Sequence, residues 1–218
     1  MKLITIQTKA AYDFFIKNGY LIASSSFINS EKYGVPYRFI VNHMKNMDNK
    51  YNAKFPLWAW VKYGKFSSPQ KSRLLGYFSK DENEIVRITF EKPDNQVLLN
   101  DYFKYHFLLT NEYLPKSLKD MTTFDELMKK ECVTKEDLLA YVRRDKYDTY
   151  RKDDIFKNIN NKIEKSHEEI FILNNKYIQA TVWFITKDEV KKVEIINKKD
   201  CTKKKPVDYR KMYIKSLK

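Results

Sequence analysis

Strand-like segments stand at both ends and in the centre of this 218-residue chain, and helical ones fill the intervals. That order constrains the fold more than any single residue does. Residues 3–8 set Leu3, Ile4 and Ile6 against Thr5 and Gln7, close to the two-residue period of a half-buried strand. Residues 177–186 (YIQATVWFIT) and 190–197 (VKKVEIIN) read as strands too, separated by Lys187-Asp188-Glu189. In the centre, 55–63 (FPLWAWVKY) is apolar, aromatic and headed by a proline. Residues 84–91 (EIVRITFE) place Ile85, Ile88 and Phe90 among charged neighbours, and after a turn at 92–95 an extended run resumes at 96–99.

Helical spacing appears between these strands. Ala10, Ala11, Phe14 and Phe15 predict a helix over 9–18, stopped by Gly19. Residues 24–36 read as a loop, 37–47 as a helix and 67–70 as a loop; 102–113 and 209–217 are again helical. The stretch 122–165 is helix-rich. Thr123 and Thr134 each precede an acid by three residues, the pattern of a capping box. The highly charged run 141–165 reads as an excursion away from the core. No internal repeat or linker interrupts the order. The expectation is one α+β domain over 1–197, with a mixed, largely antiparallel sheet, a helical insertion around 122–165, and a basic tail over 198–218.

Composition removes several function classes. Hydrophobic residues are 43% of the chain and aromatics 15%, enough for a buried core. With 4 glycines and neither GxGxxG nor GxxxxGK[ST], dinucleotide-binding Rossmann and P-loop readings fall away. Cys132 and Cys201 supply neither a disulfide framework nor a CxxC knuckle. The three histidines lack HxxxH or HxH spacing, so no metal is expected. The N-terminus turns polar too early for a signal peptide and no apolar run is long enough for a membrane span, so the expected location is the cytoplasm, with no membrane partner.

The formal net charge of +14 invites a nucleic-acid reading, because clustered cations release counterions from phosphate. Only seven of the 42 basic residues are arginine, the residue that reads base edges bidentately. Residues 198–218 hold nine lysines and arginines against two aspartates, half of the net charge. Lys203, Lys204, Lys205 and Arg210 are the candidate contacts to nucleic acid or an acidic protein. The alternative is a solubilising terminus whose helix packs Tyr209, Met212, Tyr213 and Ile214 onto the body.

Three segments carry a resemblance. LITIQT followed by KAAYDFFIKN and GYL resembles the opening of the ADP-ribosyltransferase fold, EIVRITFEKPDNQVLLND its central strand and turn, and YIQATVWFITKDEVKKV its closing strands. The same blocks, with PLWAW and DYFKYHFLLTNEYL, resemble more closely a bacterial family of unknown function. The first resemblance implies binding of NAD or a related nucleotide and transfer to nucleic acid or protein. Two positions depart from it: Thr5 stands where such transferases place Arg or His, and Thr181 stands where they place the catalytic Glu. A neutral hydroxyl cannot replace that carboxylate. Asp101, Glu168 and Glu169 are the acids that could take over.

The candidate ligand residues are therefore Thr5, Gln7, Gln179 and Thr181, which form one polar row if their strands are neighbours and all four face one side; an ordinary polar sheet face is the alternative. Trp58, Trp60 and Trp183 are either stacking platforms or core residues. Asp101, His106 and Glu169 are the candidate catalytic groups, with Asp101 and His106 five apart in a predicted helix; helix packing is the alternative for His106. Arg73 and Arg87 could each reach a phosphate or be solvated surface. The chain is expected to be an NAD-binding, ADP-ribosyltransferase-like protein or a non-catalytic accessory module of a mobile element that binds nucleic acid or protein.

Overall fold

The computed structural model describes residues 1–23, 30–65, 69–78, 82–138, 153–201 and 208–217. The protein is α+β with a largely antiparallel sheet, and it divides into two compact units. The first comprises Met1–Asp101 and Leu173–Val207; the second comprises Tyr102–Ile172 and Asp208–Lys218.

Among the described residues the first unit holds eight strands: β1 (Lys2–Thr8), β2 (Tyr20–Ile22), β3 (Leu57–Tyr63), β4 (Glu84–Glu91), β5 (Leu98–Asp101), β6 (Tyr177–Val182), β7 (Phe184–Thr186) and β8 (Val190–Asn197). Six of them form one sheet in the order β5-β6-β3-β1-β4-β8, and β2 pairs with β7 in a small second sheet. Every neighbouring pair is antiparallel. The 177–186 segment, continuous in sequence, is two strands. Trp183 interrupts it, buried with its indole N–H donated to the Met44 carbonyl at 3.1 Å, and the chain beyond it joins β2 instead.

Helix α1 (Lys9–Asn18) is bounded as its sequence predicts. The Thr8 hydroxyl accepts from the Ala11 N–H, and Gly19, at φ 82°, supplies the left-handed stop that a side chain would resist. Helix α2 (Ser30–Met44) begins within the span expected to be loop. A proline ordinarily ends a helix, yet Pro36 lies inside this one, and Pro36, Ile40 and Met44 bury a single face at four-residue spacing. One face of the sheet carries the main core, in which Leu3, Leu57, Ala59, Val86, Ile88, Phe90, Ala180 and Val182 pack with Phe15 of α1 and Leu21 and Ile185 of the small sheet.

The second unit contains α3 (Tyr102–Leu109), α4 (Leu118–Lys130), α5 (Asp153–Ser166) and α6 (Tyr209–Ser216), with a 3-10 turn at His167–Phe171. The capping box expected at Thr134 forms in both directions, between Thr134 and Asp137. The one expected at Thr123 does not: α4 starts at Ser117, whose hydroxyl accepts from the Asp120 N–H, and Thr123 lies within the helix, donating to the Lys119 carbonyl. Where it is described, the charged run 141–165 belongs to the second unit and packs into a hydrophobic cluster separate from the main core of the sheet. Phe156, Ile159 and Ile163 of α5 are buried against Val133 and Leu138, a stripe at three- and four-residue spacing hidden among lysines and asparagines. Residues 141–152 of that reading lie outside the described residues. In α6, Tyr213 is buried and Met212 stays exposed.

Candidate functional site

Antiparallel strands place directly opposed residues on the same face, so the register fixes which polar side chains share a surface. Asn100 of β5 opposes Gln179 of β6, Gln179 opposes Trp60 of β3, Trp60 opposes Ile4 of β1, Ile4 opposes Thr89 of β4, and Thr89 opposes Lys192 of β8. One row of side chains thus crosses the whole sheet on the face opposite the main core. A parallel row begins Leu98–Thr181–Trp58 and ends Ile6–Arg87–Glu194.

The expected four-residue row is therefore split. Gln179 and Thr181 lie on this tryptophan face, whereas Thr5 and Gln7 alternate with Ile4 and Ile6 and lie on the core face. Strand β3 also separates β1 from β6. Thr5 is fully buried and its hydroxyl serves the sheet: it donates to the Trp58 carbonyl at 2.7 Å and accepts from Gln7 Nε2 at 2.6 Å.

Residues on the tryptophan face differ in whether their polar atoms are met. Trp58 Nε1 donates to the Tyr37 hydroxyl at 3.3 Å, and the two rings meet edge to face. Trp60 Nε1 donates to the Tyr77 hydroxyl at 3.1 Å. Thr181 Oγ1 reaches the Leu98 carbonyl at 3.4 Å. Asn100 is only 1% exposed, yet among the described residues neither its Oδ1 nor its Nδ2 has a hydrogen-bond partner. Gln179, its neighbour across the strand pair, is 8% exposed and its Oε1 is likewise unmet. Leaving such a group dry costs roughly 1–3 kcal/mol, so two adjacent carboxamides in this condition are unusual for the interior of a fold. Arg87 is half-buried. Its Nη2 donates to the Pro69 carbonyl at 3.3 Å, Nη1 lies 3.8 Å from Glu194, and Nε is unmet.

Sequence reasoning passes over Asn100 in favour of Asp101. The signal was an amide closing the apolar run Leu98-Leu99, and its meaning depended on the register with Gln179. Asp101 is the last residue of β5, not a helical residue, so the helical spacing assumed for Asp101 and His106 does not apply. Its carboxylate is fully buried and accepts from Asn175 Nδ2 at 2.7 Å.

The other two catalytic candidates belong to the second unit. His106 Nδ1 donates to the Tyr102 carbonyl at 2.7 Å, and its ring contacts those of Tyr102 and Tyr209, which also contact each other. Burial, reinforced by the nearby Arg210 charge, pushes this imidazole below its ordinary value, leaving it neutral at pH 7. Glu169 sits in the 3-10 turn and pairs with Lys116 at 2.7 Å. The two residues are thus held by separate partners. Arg210 binds Glu112 at 2.6 Å, within the same unit. Lys203, Lys204 and Lys205 lie outside the described residues. Among the described residues there is no cluster of metal-ligating groups, and no helix is long and apolar enough to cross a membrane.

No curated protein and no solved structure matches this chain in sequence or in fold. The sequence model of the domain of unknown function DUF3841 matches residues 2–191, and so takes in every strand named above except most of β8. The chain belongs to the DUF3841 family.

Proposed function

We propose that the chain binds the nicotinamide or base end of a nucleotide, NAD or a related molecule, on the tryptophan face of its sheet. The observation that carries this reading is the pair of buried carboxamides, Asn100 and Gln179, with unmet donor and acceptor atoms side by side. A carboxamide offers one acceptor and two donors, which complements a nicotinamide amide or the edge of a base. Trp60, in register beside Gln179, is 4% exposed and sets an aromatic ring on the same face.

Transfer of ADP-ribose to a nucleic acid or protein is the fuller form of the same reading, supported by the three resembling segments. That chemistry requires a carboxylate near the ribose. Asp101 directly follows Asn100 but alternates to the opposite side of β5 and is bonded to Asn175. Recognition of the nucleotide is therefore better supported than transfer.

Calorimetric titration of the full chain with NAD tests the proposal. Binding between micromolar and sub-millimolar Kd is expected, weakened about tenfold or more in Asn100→Leu and in Gln179→Ala. No binding by the unaltered protein, or equal binding by both variants, overturns it.

A second reading rests on the charge of residues 198–218: binding of nucleic acid or an acidic protein through Lys203, Lys204 and Lys205. Arg210 supports it less, being already paired with Glu112. Deleting the segment would remove the buried Tyr213, so the clean variant replaces the three lysines by glutamate. Affinity for a DNA duplex that falls steeply with salt, and falls again in that variant, is the expected result. Binding indifferent to both discards the reading.

A further inference from the structure

We propose that two copies of the chain associate by antiparallel pairing of their β8 strands, in the register that sets Val193 opposite Val193 of the second copy. Strand β8 stands at the end of the six-stranded sheet and pairs, among the described residues, only with β4. An edge strand of this kind carries a row of backbone donors and acceptors directed away from its sheet, ready to accept another strand. The backbone fixes which residues supply them. Lys198 N donates to the Asn83 carbonyl at 2.8 Å, and these two residues continue the register in which Glu84 opposes Asn197. Bonded and non-bonded pairs alternate along an antiparallel ladder, so Ile196, Glu194 and Lys192 turn their N–H and C=O groups towards β4. Val193 and Ile195 turn theirs outward.

The same two residues are apolar and poorly covered. Val193 is 37% exposed and Ile195 is 53% exposed, although both lie in register with buried residues of β4, Ile88 and Val86. Side chains that should belong to a core thus line a free edge.

Charge then selects both the occupant and the register. With Val193 facing its own copy, Lys192 lies opposite Glu194 of the second strand and Glu194 opposite its Lys192, forming two attractive pairs related by the two-fold axis. A shift that centres the pairing on Glu194 would oppose two glutamates, and one centred on Lys192 would oppose two lysines. Opposed pairs of opposite charge favour a register and like charges disfavour it. The edge is self-complementary, as an isologous two-fold contact requires. A β-bulge lies next to this stretch, where the register shifts between Thr89 and Phe90 of β4. It limits the new ladder to a few residues, and the expected association is micromolar rather than obligate.

Sedimentation equilibrium of the full chain, over roughly 10 to 500 micromolar, spans the range such a short contact reaches. The unaltered protein is expected to shift from monomer to dimer. Lys192→Glu should weaken the dimer about tenfold or more, since it turns both cross-copy pairs repulsive. The double variant Lys192→Glu with Glu194→Lys should restore it. Both positions are at the surface, and matching circular dichroism spectra would show that the variants fold. A protein that stays monomeric throughout, a dimer indifferent to Lys192→Glu, or a double variant no better than the single overturns the proposal.

Discussion

Two regions of this protein bury polar side chains and treat them differently. In the second unit the three most deeply buried polar side chains are matched to backbone atoms, although Asn111 Nδ2 and Asn160 Oδ1 are buried without a partner among the described residues. Lys104, only 1% exposed, donates through Nζ to the carbonyls of Glu169 and Ile172. Ser166 Oγ accepts from the Leu114 N–H at 2.9 Å and donates to the Ile163 carbonyl at 2.6 Å. His167 Nε2 donates to the Glu112 carbonyl at 2.9 Å. In the first unit Asn100, 1% exposed, has neither amide atom met among the described residues, and Gln179, 8% exposed, has its Oε1 unmet. Buried polar groups that serve a fold ordinarily have partners within it, and Asn100 and Gln179 stand out as two such groups side by side with unmet atoms.

The largest effect that would sharpen this contrast is a pH dependence. Burial holds the His167 imidazole down at about 4 in the folded protein against an ordinary value of 6.5. A folded value depressed in this way means that the neutral form is the one the fold retains. Its contribution to stability is complete above pH 6.5 and is lost as pH falls from 6.5 towards 4. The loss should amount to about 3 kcal/mol by linkage, read from urea unfolding at a series of pH values. His167→Gln should flatten that slope; an unchanged slope would place the titration elsewhere.

A smaller loss is expected from Ser166→Ala, which leaves the buried Leu114 N–H without an acceptor. The cost should be about 2 kcal/mol in unfolding free energy, and a negligible change would break the distinction drawn between the regions. Asn100→Leu should move stability least. Removing an amide that bonds to nothing leaves unfolding free energy within about 0.5 kcal/mol of the parent, or raises it. A loss comparable to that of Ser166→Ala would mean that Asn100 serves the fold after all.

Much of the fold could be read along the chain because alternation and capping are local. The bounds of β4 and α1, and the stop at Gly19, follow from residues within a few positions of one another. Where the outcome depended on distant partners, the sequence was silent. The break at Trp183 follows from a bond to Met44, far away in the chain, and from the pairing of β7 with β2. The fate of Thr5 was decided in the same way. Its alternation with Ile4 was visible, but the insertion of β3 between β1 and β6, and the register that sets Gln179 in line with Ile4 rather than Thr5, belong to the tertiary pairing. The candidate site was half legible. Gln179, Thr181 and Trp58 do share a face, but Asn100, which completes it, acquires meaning only from its opposition to Gln179.

Each unit is assembled from two separate stretches of chain, and this has a consequence for biosynthesis. In the first, the central strand β3 waits for β6, which arrives more than a hundred residues later. In the second, α3 waits for α6, whose Tyr213 ring packs against Phe107 and whose hydroxyl bonds the Pro115 carbonyl. Domains often fold one after another as they leave the ribosome, but neither unit here can close until the late segments emerge. Until residues 177–182 emerge the half-built sheet lacks β6 beside β3, so a nascent chain stalled before residue 177 should be a better substrate for chaperones and proteases than one in which β6 and α6 have both emerged.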